Sequence, residues 1–176
     1  MSASSARGLR LRTVLAALVA AAALFVAAPR AEAHQAPGGN LGIGLGVGAP
    51  SGITFEVGAG YWSSFELALG LDVFESSGGY GHLVYKADLA DLASGPTVRV
   101  PLYVGAGAYV YDHDREFNDN AEVGLRIPIG IDFDFQRSPL QLFAEIALGV
   151  PLRDAHDPAY ERNVWAAGYA GFRVWF

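Results

Sequence analysis

Three small groups of residues in this chain have types and spacing that could do chemistry. The stretch "DHDREFNDN" (residues 112–120) offers Asp112, Asp114 and Asp119 as oxygen donors of the kind calcium takes. It has neither the glycine nor the terminal glutamate of an EF-hand loop, so it reads as a solvated acidic loop. His113 and His156 lie in different polar segments and could share a transition metal, but two lone histidines fall short of a ligand set. Ser76 or Ser77 could meet His82, the pairing a serine hydrolase needs, yet nothing nearby marks an oxyanion site. The glycines of "GNLGIGLGVG" recur every second residue, unlike a phosphate-cradling turn before a helix. Cysteine is absent, which excludes a disulfide framework, a thiol nucleophile and a cysteine-linked lipid anchor. The expectation is therefore a protein without catalytic residues, metal or cofactor.

A larger set of charges is more informative. Glu56, Glu66, Asp72, Lys86, Asp88, Arg99, Glu122, Arg126, Asp132, Asp134, Glu145 and Arg173 all fall between apolar residues at alternate positions. The elements that must carry them have a period of two. Alternating apolar runs cover residues 41–47, 53–61, 65–73, 83–89, 98–110, 123–133, 140–150 and 164–176, and each reads as a strand with one apolar face. Several reach the roughly 9–11 residues that a tilted strand needs to cross a bilayer. Pro101 and Pro128 interrupt two of the runs, where bulges or local breaks are expected because proline cannot donate to a ladder. Connections after the second, fourth and sixth runs are short. Those after the third, fifth and seventh, "ESSGGYG", "DHDREFNDN" and "PLRDAHDPAYER", are longer and polar, while the first, Ala49 to Gly52, is short. Short turns at one end and longer loops at the other are the pattern of an up-and-down transmembrane barrel.

The N-terminus reads differently. Arg7, Arg10 and Arg12 precede an uncharged apolar run from Val14 to Ala28, followed by Ala31-Glu32-Ala33. That is the layout of a cleaved secretory signal over residues 1–33. Residues 34–39 would be a short N-terminal segment and 40–176 the barrel. Removing four arginines and one glutamate with the signal takes the formal net charge from −6 to −9. An acidic exported chain is a poor partner for nucleic acid.

Alternation does not say which face is outside, since a soluble lipocalin-like barrel that binds a hydrophobic ligand alternates too. Volume decides for the apolar face outward. An eight-stranded interior is just wide enough to be filled by side chains, and the apolar face carries far more large residues than fit. The opposite face is rich in glycine and alanine and carries charges of both signs, as a packed polar lumen requires. Those charges read as a salt-bridge plug, with a narrow small-solute or ion channel as the alternative. The glycines of the first run are expected to leave room beside Glu56. Tyr61, Trp62, Trp175 and Phe176 would mark one interface, and Phe74, Tyr80, Tyr109, Tyr111, Tyr160 and Trp165 the other.

On these features the chain resembles small outer-membrane β-barrels of the OmpA/OmpX type, over essentially all of residues 34–176. The most specific element is the tail, where Tyr169, Gly171, Val174 and the terminal aromatic Phe176 match the spacing of the family's last strand. The resemblance implies that this strand is read by the outer-membrane barrel-insertion machinery. It further implies an eight-stranded antiparallel barrel, monomeric, in outer-membrane lipid. Its role would be structural or interactive, through envelope integrity or adhesion of the outer loops to an extracellular ligand or surface. Two departures stand out: the short first outer loop, and the absence of a peptidoglycan-binding domain after the barrel.

Overall fold

The computed structural model describes residues 39–71, 79–112, 121–153 and 164–176. Eight strands form one closed antiparallel barrel in which each strand pairs with its neighbours in sequence and the last pairs with the first. They are β1 (Leu41–Gly48), β2 (Ser51–Gly60), β3 (Ser63–Leu71), β4 (Gly79–Ser94), β5 (Val98–Asp112), β6 (Ala121–Phe135), β7 (Leu140–Arg153) and β8 (Trp165–Trp175). Among the described residues there is no helix. The up-and-down topology follows from the alternation and from short turns that join antiparallel neighbours.

The register fixes the shape. Starting from Trp175 and stepping across ladder partners leads through Gly42, Glu56, Glu66, Val84, Gly107, Arg126 and Gly149 to Trp165, ten residues from the start on the same strand. Eight strands with a stagger of ten residues imply a tilt of about 40° and a radius of about 8 Å. The wall is uneven. β1, β2 and β3 have 8, 10 and 9 residues, against 16, 15, 15 and 14 in β4 to β7.

Burial follows the sequence period. In β1 the odd positions are exposed and Gly42, Gly44, Gly46 and Gly48 are buried. In β6 Val123, Leu125, Ile127 and Ile129 face out while Gly124, Arg126, Pro128 and Gly130 face in. The outer surface is a belt of leucine, isoleucine, valine and phenylalanine, and the buried set is largely polar or aromatic.

The inward glycines do not leave an open crevice beside Glu56. Gly44 and Gly48 lie against the β8 backbone, and several others are covered by aromatic rings, which need a bare backbone to lie flat. A Cβ on Gly42 would meet the Trp175 ring at 3.1 Å. One on Gly46 would overlap Tyr169, one on Gly124 Tyr109, and one on Gly149 Trp165.

The proline positions disturb the ladder as expected. Register shifts in β4 flank the Asp91–Pro101 pair. The β5–β6 ladder skips from Val104–Ile129 to Gly107–Arg126, across Pro128. At the tight β1–β2 connection, Gly48 has a φ of +130° that glycine alone adopts readily. The Ser51 hydroxyl closes this turn, accepting from Gly48 N at 3.0 Å and donating to Gly48 O at 3.1 Å.

Candidate functional site: a polar lumen

Inward parity on eight tilted strands brings the charges of the sequence into three stacked groups. The central group begins with an electrostatic conflict. Glu56 and Glu66 are direct cross-strand partners on β2 and β3, and like charges so placed repel. Two cations resolve it. Lys86 Nζ is 2.9 Å from Glu56 Oε2, 3.4 Å from Glu66 Oε2 and 3.5 Å from Asp132 Oδ2. Arg173 Nη1 is 2.6 Å from Glu56 Oε2, and its Nη2 donates to Glu66 Oε2. The Arg173 fork is used further: Nη1 donates to Gln141 Oε1 at 3.1 Å and Nε to Thr54 Oγ1 at 3.3 Å, and the guanidinium lies 3.9 Å from the Phe143 ring centre. Ser64 donates to Glu56 Oε1 at 2.6 Å, and His82 Nε2 meets Glu66 Oε1 at 3.2 Å. All of these polar residues are nearly or wholly inaccessible to solvent. Most of their lone pairs and protons are paired, as buried charges require, while Asp132 Oδ1 and His82 Nδ1 are buried without a hydrogen-bond partner.

Toward the loop end, Arg126 Nη2 pairs with Glu145 Oε1 at 2.5 Å and its Nη1 donates to Tyr80 Oη at 3.0 Å. Tyr103 donates to the other Glu145 oxygen at 2.7 Å. Toward the turn end, Arg99 reaches Asp91 at 2.7 Å, Asp88 at 3.0 Å and Asp134 at 3.7 Å. Gln141 Nε2 donates to Asp134 Oδ1 at 2.8 Å and links this group to the central one.

Of the twelve charged residues expected in the lumen, the structure brings Glu56, Glu66, Lys86, Asp132 and Arg173 together in the centre. Arg126 and Glu145 join above, and Asp88, Arg99 and Asp134 below. Glu122 is half-buried near the loop end and accepts from Tyr109 Oη at 2.5 Å. Asp72 lies outside the described residues, as do Ser76, Ser77, His113, Asp114, Asp119 and His156. Among the described residues no cluster of three metal-ligating side chains occurs. His82, considered above as a partner for serine, is buried against Glu66 instead.

The neutral members, Thr54, Ser64, Gln141 and Tyr103, were not singled out by sequence reasoning. Their inward parity was the available signal. The expected aromatic girdles are corrected. Trp175 is buried inside the barrel over Gly42 and does not mark an interface. Phe74 and Tyr160 lie outside the described residues, and Tyr80, Tyr109, Tyr111 and Trp165 do not form an outward girdle. Tyr80, Tyr109 and Tyr111 are buried inside the barrel and Trp165 packs against them. All four occupy the inward parity, and that places them more firmly than their nearness to a rim does.

In the tail, Tyr169 packs inward on Phe143 with ring centres 4.9 Å apart, and the ring of Phe143 also covers Gly171. Val174 and Phe176 lie on the outward parity, with Phe176 strongly exposed. The last residue is tied to the first strand. Phe176 N donates to Leu41 O at 2.8 Å, and Phe176 O accepts from Asn40 N at 2.9 Å.

The centre of the lumen is a packed ion-pair network in which each cation bridges more than one carboxylate, and carboxylates outnumber cations in both the central and the turn-end groups. Comparison of the chain with protein-family models, curated proteins and solved structures finds no match.

Proposed function

We propose that this chain is an integral outer-membrane protein, exported by a signal peptide over residues 1–33, that serves a structural or interactive role without catalysis. The observation that carries the reading is the inversion of the barrel. Leucine, isoleucine, valine and phenylalanine cover the outside, many of them 40–60% exposed, while arginine, lysine and glutamate are sealed within. Soluble monomers rarely expose apolar patches beyond a few hundred Å². In hydrocarbon the same belt is matched to its surroundings, and a closed barrel leaves no unpaired strand edge. Outer-membrane lipid and the barrel-insertion machinery are then the partners. The loops would be the route to any extracellular ligand or surface, and the resemblance to OmpA/OmpX-type barrels supports envelope integrity or adhesion as the role.

The packed central lumen favours this role over conduction, because Arg173, Lys86, Glu56 and Glu66 leave almost no solvent-accessible surface around them. Planar-bilayer recording tests the distinction. The purified protein is expected to give no conductance steps above background. Regular steps would replace the structural role with that of a narrow channel.

A further inference from the structure

The uneven wall creates a second feature that the plug does not use. β1 ends at Gly48, opposite Tyr169 of β8, and the last contact across this seam is Ala49 N donating to Gly168 O at 3.1 Å. Above it, Trp165 to Ala167 pair with β7 on one side and with no described residue of β1 on the other. A cavity of about 680 Å³ opens there, within the range of small-molecule sites. Its lining includes outward-facing Ala166 and Gly168 as well as inward-facing Tyr80, Tyr111, Glu122 and Trp165. The cavity therefore passes around the stretch of β8 that no described residue of β1 covers, and connects the outer face to the upper lumen. A side chain added at Gly168 would meet nothing within 4 Å.

The inner end of this window has a definite chemistry. Tyr80, Tyr109, Tyr111 and Trp165 are clustered, with ring centres 5.1 Å apart for Tyr109–Trp165, 6.1 Å for Tyr80–Tyr111 and 6.3 Å for Tyr80–Trp165. Trp165 Nε1 donates to Tyr109 Oη at 3.1 Å, and Tyr109 donates onward to Glu122 Oε1 at 2.5 Å. Glu145 is neutralised by Arg126. Among the described residues no cation pairs with Glu122. Aromatic faces beside an unneutralised carboxylate attract a cation that is weakly hydrated, above all a quaternary ammonium. An anion would meet the charge of Glu122, and a neutral ligand would leave that charge uncompensated.

We propose that the window at the β1–β8 seam binds amphipathic organic cations, with the ammonium group against Glu122, Tyr80, Tyr111 and Trp165, Tyr109 holding Glu122 and Trp165 from behind, and the apolar group lying out past Gly168. The site belongs to the barrel itself and is independent of where the barrel resides, so it is testable in nonionic detergent micelles.

The experiment is titration of the full barrel with hexyltrimethylammonium, followed by tryptophan fluorescence and calorimetry, with hexyl sulfate as the anionic counterpart. Saturable binding of the cation and none of hexyl sulfate is expected. Glu122→Gln should weaken the cation by about tenfold or more. Gly168→Trp, which adds a bulky ring at the outer mouth of the window and leaves the carboxylate in place, should also weaken it, and so serves if Glu122→Gln does not fold. Absence of saturable cation binding by the unaltered protein, equal binding of hexyl sulfate, or unchanged affinity in both variants would overturn the proposal.

Discussion

Replacing Arg173 with methionine is expected to cost about 3–5 kcal/mol of folding stability, the usual consequence of removing one partner of a buried ion pair. Arg173 is wholly buried between two glutamates that the register forces side by side. Without it, Glu56 and Glu66 share Lys86 alone, which Asp132 also engages. Gln141 Oε1 and Thr54 Oγ1 lose donors as well. Methionine keeps much of the volume over Phe143, so the loss is chiefly electrostatic. Reversible urea unfolding in phospholipid vesicles measures it. Glu66→Gln in the same chain should recover part of the loss, because it removes the charge left stranded, and the double-mutant cycle isolates that coupling. A cost under about 1 kcal/mol for Arg173→Met would mean that water or another cation satisfies the glutamates.

The second large effect belongs to the outer face. Ile129 and Ile146 are ladder partners near the middle of β6 and β7, and both point outward, 52% and 62% exposed. On a water-facing surface, arginine at either position would change stability by no more than about 0.5 kcal/mol. Facing the middle of a bilayer, each should cost about 2–4 kcal/mol. The same substitution at Leu89 or Leu92, on the exposed turn-end stretch of β4, should cost about 0–1 kcal/mol if, as proposed, that end lies near the membrane interface. Unfolding free energies in vesicles read all four. A depth-dependent profile is the expected result, and uniformly small effects would return the apolar belt to some other partner.

Both effects rest on features that the sequence exposes to different degrees. The strands and their inward faces were legible because apolar and polar residues alternate over long runs, and one-residue slips would reverse every face. That parity alone put Glu56, Lys86, Arg126 and Arg173 on the lumen side. Their partners were less legible. The contact between Arg173 and Glu66 spans 107 residues of sequence. It depends on closing β8 against β1 with a stagger of ten residues, a quantity set jointly by every turn and bulge.

Asp91 is not legible as a lumen residue, because two bulges in β4 re-aim it toward Arg99 and a bulge breaks the two-residue period. The glycines of β1 suggested empty space, since a sequence displays the missing side chain and not the ring that covers it. The loop-end aromatics suit an interface by type. Their positions on the inward parity of β4, β5 and β8 were the better guide.

The central claim is that the apolar belt faces lipid, and cell fractionation tests it most directly. Expressed with its N-terminal segment in a Gram-negative host, the protein should be found with the outer membrane. It should resist extraction by carbonate or urea and be released by detergent. Recovery in the soluble periplasmic fraction without detergent would contradict the account.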